Sequence, residues 1–131
     1  MSVTIKTGAT SFTVTGGADK AFSADGQTVQ NGIHMADAAT ADFRVRPHVT
    51  FKNRNPQKQT DGTYSKGKRE VILTIPILKT NGTVAFNTWR YSQEYDPEVS
   101  AATEKDGRFM LAQFLFDTET ESFNSAGAIP A

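Results

Sequence analysis

Three stretches of this chain alternate apolar and polar residues with a period of two, and turn-forming residues separate them. They are FRVRPHVTFKN (43–53), REVILTIPIL (69–78) and VAFNTWRYSQEY (84–95). Successive side chains of a strand point to opposite faces, so each stretch sorts into an apolar and a polar side. The link PQKQTDGTYSKGK (56–68) is polar and rich in turn formers. KTNGT (79–83) carries Asn81-Gly82, the pair preferred in type I′ hairpins. Pro76 cannot donate to a ladder and fits best near a strand end or at a sheet edge. Three antiparallel strands in succession are the expectation.

The flanking regions complete the outline. VTIK and SFTVT alternate on either side of Gly8, predicting an N-terminal hairpin over 1–17 that ends at Gly16-Gly17. Within 18–42, KAFSA reads as a short strand, Asp25-Gly26 and Asn31-Gly32 as turns, and AATAD as a loop. Asp96-Pro97-Glu98 has the composition of a helix start, with the helix running from Val99 to Phe116. Its FMLAQFLF end is apolar nearly all round and should be deeply buried, and Gly107 is its one poor helix former. Thr118 and Glu121 form a capping-box pattern before a short second helix to about Ala126, with Gly127 as its stop. Strands first and helices last predict an α+β fold. One domain, 1–131, would comprise a hairpin (1–17), a main antiparallel sheet (18–95), and two C-terminal helices and a tail (96–131) covering one sheet face.

The net charge is zero, with 14 basic and 14 acidic residues, yet the charge is segregated. Residues 43–93 carry +8, residues 94–131 carry −6 and residues 1–42 carry −2. A comb of positive charge in an otherwise acidic protein points to a polyanion. Alternation places Phe43, Val45, Val49, Phe51, Val71, Leu73, Ile75, Trp89, Tyr91 and Tyr95 on the side facing the helices. It places Arg44, Arg46, His48, Thr50, Lys52, Arg54, Lys66, Lys68 and Arg90 on the other, as a broad basic surface. Phosphates suit such a surface, because each Lys or Arg contact releases a counterion and many weak contacts accumulate. Aromatic residues take the opposite parity from the basic ones, which favours a packaging surface over a base-stacking one.

Other chemistry finds little support. There is no Cys, hence no disulfide framework and no thiolate metal site. GTYSKGKR (62–69) approaches a phosphate-binding loop, but Arg69 stands where Ser or Thr is required and a strand follows instead of a helix. The two histidines, His34 and His48, lack the spacing of a metal pair, and no nucleophile–base arrangement is visible. No catalytic residue, metal, cofactor or small-molecule substrate is expected. No apolar run reaches the roughly 20 residues of a membrane span, and MSVTIKTGATSF lacks the core of a signal peptide. A soluble product of the cytoplasm is expected. Hydrophobic content is 37%, and a chain this size buries only about two thirds of its unfolded surface alone. A partner subunit is expected to complete the core.

The ordered set of EVILTIPI, a turn, NTWRY, a helix and the small-residue tail NSAGAIPA resembles the coat protein of single-stranded RNA bacteriophages, the levivirus type. The resemblance covers residues 43 to the end. It implies an intertwined homodimer with one continuous sheet, each subunit's helices lying over its partner. It also implies a T=3-like icosahedral shell, single-stranded RNA on the inner sheet face, location in the virion after synthesis in a bacterial host, and repression of translation through an RNA hairpin. Under the resemblance Arg44, Arg46, His48, Thr50, Lys52, Arg54, Lys66, Lys68, Arg90 and Ser92 are the candidate RNA-binding residues. Departures from the family pattern are Glu70 and Ile72 on the RNA-facing parity, and Ser92 where some members place a base-stacking Tyr. A non-capsid dimeric nucleic-acid-binding β module is the alternative.

Overall fold

The computed structural model describes residues 3–129, which form two compact units. Residues 17–97 make one unit; residues 1–16 together with 98–131 make the other.

The first unit is a five-stranded antiparallel sheet in sequential order. Its strands are β1 (Ser23–Ala24), β2 (Gly32–Ala36), β3 (His48–Arg54), β4 (Gly67–Leu78) and β5 (Val84–Tyr95). β4 and β5 pair along their full length, from Gly67 opposite Tyr95 to Leu78 opposite Val84. The β3–β4 ladder stops at His48 opposite Thr74. Pro76 therefore lies beyond the end of β3, where its missing N–H removes no bond to that strand.

Both long hairpins close with the same turn. In the β4–β5 loop, the Gly82 N–H donates to the Lys79 carbonyl at 3.0 Å and the Lys79 N–H to the Thr83 carbonyl at 2.8 Å. Gly82 has a φ of 84° while Asn81 keeps a negative φ, so this is a type I turn with a left-handed glycine, not the expected type I′. The Asn81 Oδ1 accepts both the Thr83 N–H and its hydroxyl. QTDGT (59–63), between β3 and β4, repeats every one of these contacts, with Asp61 in place of Asn81 and Gly62 in place of Gly82. The near-P-loop pattern thus resolves into a hairpin turn.

The strand expected over 43–53 forms only from His48. Phe43–Val45 is a single 3-10 turn, capped by the Asp42 carboxylate accepting the Arg44 N–H at 3.0 Å. The preceding loop hangs on Asp37, which is 1% exposed. Its carboxylate accepts the Thr40 hydroxyl at 2.7 Å and the Ala39 N–H at 3.1 Å, and pairs with Lys20 at 3.2 Å. Its N–H donates to the Pro47 carbonyl at 3.0 Å. The Asp42 carboxylate has captured a backbone donor that a ladder would have used.

The second unit holds α1 (Ala101–Phe116), a 3-10 turn (Thr118–Thr120) and α2 (Glu121–Ala126). α1 starts at Ser100, whose hydroxyl accepts the Thr103 N–H at 3.2 Å, not at Asp96 as expected. Asp117, one residue before the expected Thr118, caps the 3-10 turn by accepting the Glu119 N–H at 2.9 Å. Gly127 ends α2 with a φ of 72°, as its position predicts. The N-terminal hairpin does not form: residues 3–17 contain no strand. The arm instead gives its backbone to α1 side chains. The Lys6 N–H donates to the Gln113 Oε1 at 2.7 Å, the Gln113 Nε2 donates back to the Lys6 carbonyl at 2.8 Å, and the Gly8 N–H donates to Asp106 at 2.7 Å. The end of the tail, residues 130–131, lies outside the described residues.

Among the described residues not one Val, Leu, Ile, Met, Phe, Tyr or Trp side chain is buried; Ala36 and Pro76 are the buried apolar side chains. The end of α1 expected to be deeply buried is exposed in the isolated chain, Phe116 at 76%. Full burial of one large apolar side chain stabilises by about 1.5–3 kcal/mol. Chain entropy alone opposes folding by at least about 1 kcal/mol per residue. The large apolar side chains of the isolated chain are left half-buried or exposed.

Candidate nucleic-acid interface

Register decides what the polar parity displays. Across β3, β4 and β5, four rows lie on one face: His48–Thr74–Thr88, Thr50–Ile72–Arg90, Lys52–Glu70–Ser92 and Arg54–Lys68–Glu94. All are even-numbered, and we call this the even face. It unites seven of the ten candidates: His48, Thr50, Lys52, Arg54, Lys68, Arg90 and Ser92. Lys66 precedes β4 and stands outside the ladder. Arg44 and Arg46 are not in the strand at all. Arg44 lies in the 3-10 turn and pairs with Asp42 at 3.0 Å, while Arg46 follows it and donates from Nε to the Thr40 carbonyl at 3.0 Å. The continuous comb read from the alternation is therefore two pieces, a strand and a turn. Pro47 marks the break, since the residue before a proline is steered to extended backbone and proline itself offers no donor.

Glu70 reports how closely the cations converge. Its carboxylate lies 3.0 Å from the Lys68 Nζ. The Lys68 hydrogen bond, then the nearby charges of Lys68, Lys52 and Arg90, hold its carboxyl below the usual range. An acid surrounded by three bases on a sheet face signals a strongly positive local field.

The neighbouring strand adds a residue that alternation did not single out. His34 on β2 sits opposite Thr50 and beside His48, their ring centroids 5.0 Å apart. Its Nδ1 is 2.7 Å from the Asp25 carboxylate, which this contact holds below its usual value. β2 was legible only through the turn pair Asn31-Gly32 at its start. Gly32 is required there, since a Cβ would stand 2.0 Å from the Phe51 carbonyl oxygen. Phe86 on β5, paired with Pro76, is a second addition. It is an aromatic residue on the basic face, 66% exposed.

The odd face is apolar. It carries Ile33, Met35, Val49, Phe51, Val71, Leu73, Ile75, Trp89 and Tyr91. Trp89 is 57% exposed. Arg69 is the one base on this face and stacks over the Tyr95 ring at 4.1 Å, with Gly67 making room beneath that ring. Among the described residues no three His, Asp or Glu side chains gather as metal ligands, and no helix is long and apolar enough to cross a membrane.

Neither a family model nor a curated protein matches the sequence. Solved structures do. A chain from the virus-like particle of bacteriophage GQ-907 is 42% identical, with a TM-score of 0.90 over 97% of this chain and 96% of that one. The chain belongs to the coat-protein family of levi-like bacteriophages. At lower identity the same fold recurs in other virus-like particles. The virus-like particle of bacteriophage AVE019 gives a TM-score of 0.65 at 12% identity, over 83% of this chain and 84% of that one. That of Beihai levi-like virus 21 gives 0.55 at 8% identity, over 84% and 94%. The five-stranded antiparallel sheet followed by two C-terminal helices is this coat-protein fold.

Proposed function

We propose that this chain is the structural subunit of a phage capsid, which dimerises, assembles into a closed shell and packages single-stranded RNA against its even face. The observation that carries the proposal is the 42% identity and 0.90 TM-score to a virus-like-particle chain over nearly the whole length. The missing core supports it: an apolar sheet face and an exposed apolar helix end need a surface to cover them, and a second copy supplies one of each. β5 supports it too. It is a 12-residue edge strand with one side unpaired, and a long open edge is a template for pairing with another chain. Edge-to-edge pairing of two β5 strands would join two even faces into one basic surface. Each chain's helices would then lie over its partner's odd face.

The even face supports sequence-independent packaging better than hairpin-specific repression. Glu70 and Ile72 stand in its middle rows, and Ser92 offers no ring to a base. Protein expressed in bacteria should retain nuclease-protected RNA after purification. Replacing Lys52, Arg54, Lys68 and Arg90 with Gln should remove most of it. Unchanged protected RNA in that variant would show that the face is misassigned. A free-standing nucleic-acid-binding dimer would share the face but would leave its RNA open to nuclease.

A further inference from the structure

Where the even face ends, the 3-10 turn docks beside β4 and β5 and encloses a depression of about 320 Å³. Phe43 and Phe86 line it, together with Pro76, Arg44, Arg46 and His48. Phe43 is 80% and Phe86 66% exposed, whereas Pro76 is buried and forms the floor. We propose that this depression is a nucleobase-stacking site for single-stranded RNA, with Phe43 and Phe86 offering ring faces to bases and Arg46 meeting the adjoining phosphate. The inference rests on the reading of the even face as RNA-facing and extends it from charge to base contact.

Three observations favour RNA over another apolar occupant. The two rings sit among cations: Arg46 is anchored through Nε alone, and among the described residues no carboxylate pairs with it. The depression is continuous with the basic rows, because Phe86 lies two residues from Thr88 and four from Arg90 on the same face of β5. Exposed aromatics beside Lys and Arg are the arrangement that binds single strands, since every base has a π-face to stack. The site is also separate from Ser92, six residues or about 20 Å along the strand. This explains how the turn at Phe43–Val45 contributes although it left the ladder: it brings a second aromatic residue beside Phe86.

The test uses the full-length protein and a short fluorescent single-stranded RNA of mixed sequence, titrated at several salt concentrations. The double variant Phe43→Ala, Phe86→Ala should bind about fivefold to a hundredfold more weakly, with an unchanged salt slope, because stacking releases no counterion. Arg46→Gln should instead shallow the slope by about 0.7. Phe86→Tyr, which keeps a stacking ring, should restore affinity. Equal affinity in wild type and double variant would overturn the site. So would a double variant that binds RNA normally but no longer forms particles, since a second copy would then be the occupant. Absence of wild-type binding would instead refute the RNA reading of the whole face. Ultraviolet crosslinking of the wild-type protein with its co-purified RNA gives a readout free of mutational damage. Nucleotide adducts on the peptides containing Phe43 or Phe86 are expected, and adducts confined to other peptides would contradict the site.

Discussion

Lys68 and Glu70 hold each other at 3.0 Å on the face that a capsid subunit would turn toward RNA. The pair sits among the cations of that face: Lys68 is occupied by a carboxylate that also feels Lys52 and Arg90. Glu70 thus restrains the positive field where it is densest, and removing it should strengthen phosphate binding.

Glu70→Gln should therefore raise affinity for single-stranded RNA and steepen its salt dependence by about 0.7 for each further phosphate that the released bases neutralise. Titrations of the wild-type and variant proteins at several salt concentrations measure both quantities. An unchanged slope would mean that Lys68 does not reach phosphate.

Asp37 predicts an acid-sensitive fold. Its carboxyl is held below the usual range, first by the Thr40 hydroxyl and also by Lys20 and the Ala39 N–H. A lowered folded-state value stabilises the protein above the unfolded-state value of about 3.9, and that contribution disappears as pH falls through the folded value. Melting temperature should hold steady from neutral pH to about pH 5 and drop below about pH 4. Asp37→Asn should melt lower at neutral pH and lose part of that acid dependence, as thermal denaturation across pH would show.

The twin turns at 59–63 and 79–83 should respond alike. Gly62→Ala and Gly82→Ala each place a Cβ at a left-handed φ, at a cost of about 1–2 kcal/mol. Matching losses in chemical denaturation are expected, and a tenfold disparity in unfolding constant would show that the two turns are not equivalent.

Gly32→Ala tests the β2–β3 register. Its Cβ would meet the Phe51 carbonyl, a backbone atom that cannot step aside, so overpacking of about 1–3 kcal/mol or more is expected. A variant as stable as wild type would place β2 elsewhere.

How much of this was legible in the sequence follows from which interactions are local. β4, β5 and the turn between them were readable because alternation, turn residues and hydrogen bonds all coincide within 67–95. The strand start at 43 was not, because Asp42 captures the Arg44 N–H that alternation alone assigns to a ladder. The N-terminal hairpin failed for a related reason: Gln113 and Asp106, about a hundred residues away, satisfy that backbone instead. Seven of the candidate RNA-binding residues share a face because register in a half-exposed sheet propagates parity from strand to strand. His34 and Phe43 were missed because their neighbours on that face come from another strand or from a turn, whereas Phe86 shares the parity of Thr88 and Arg90 and was legible.

Whether this chain is a capsid subunit whose fold another copy completes is a question for cryo-electron microscopy of the purified protein. Closed shells of uniform diameter are predicted, in which paired subunits bury Trp89 and Phe116 and turn Lys52, Arg54, Lys68 and Arg90 inward. Monomers or lone dimers under all assembly conditions, or shells with that face outward, would contradict it.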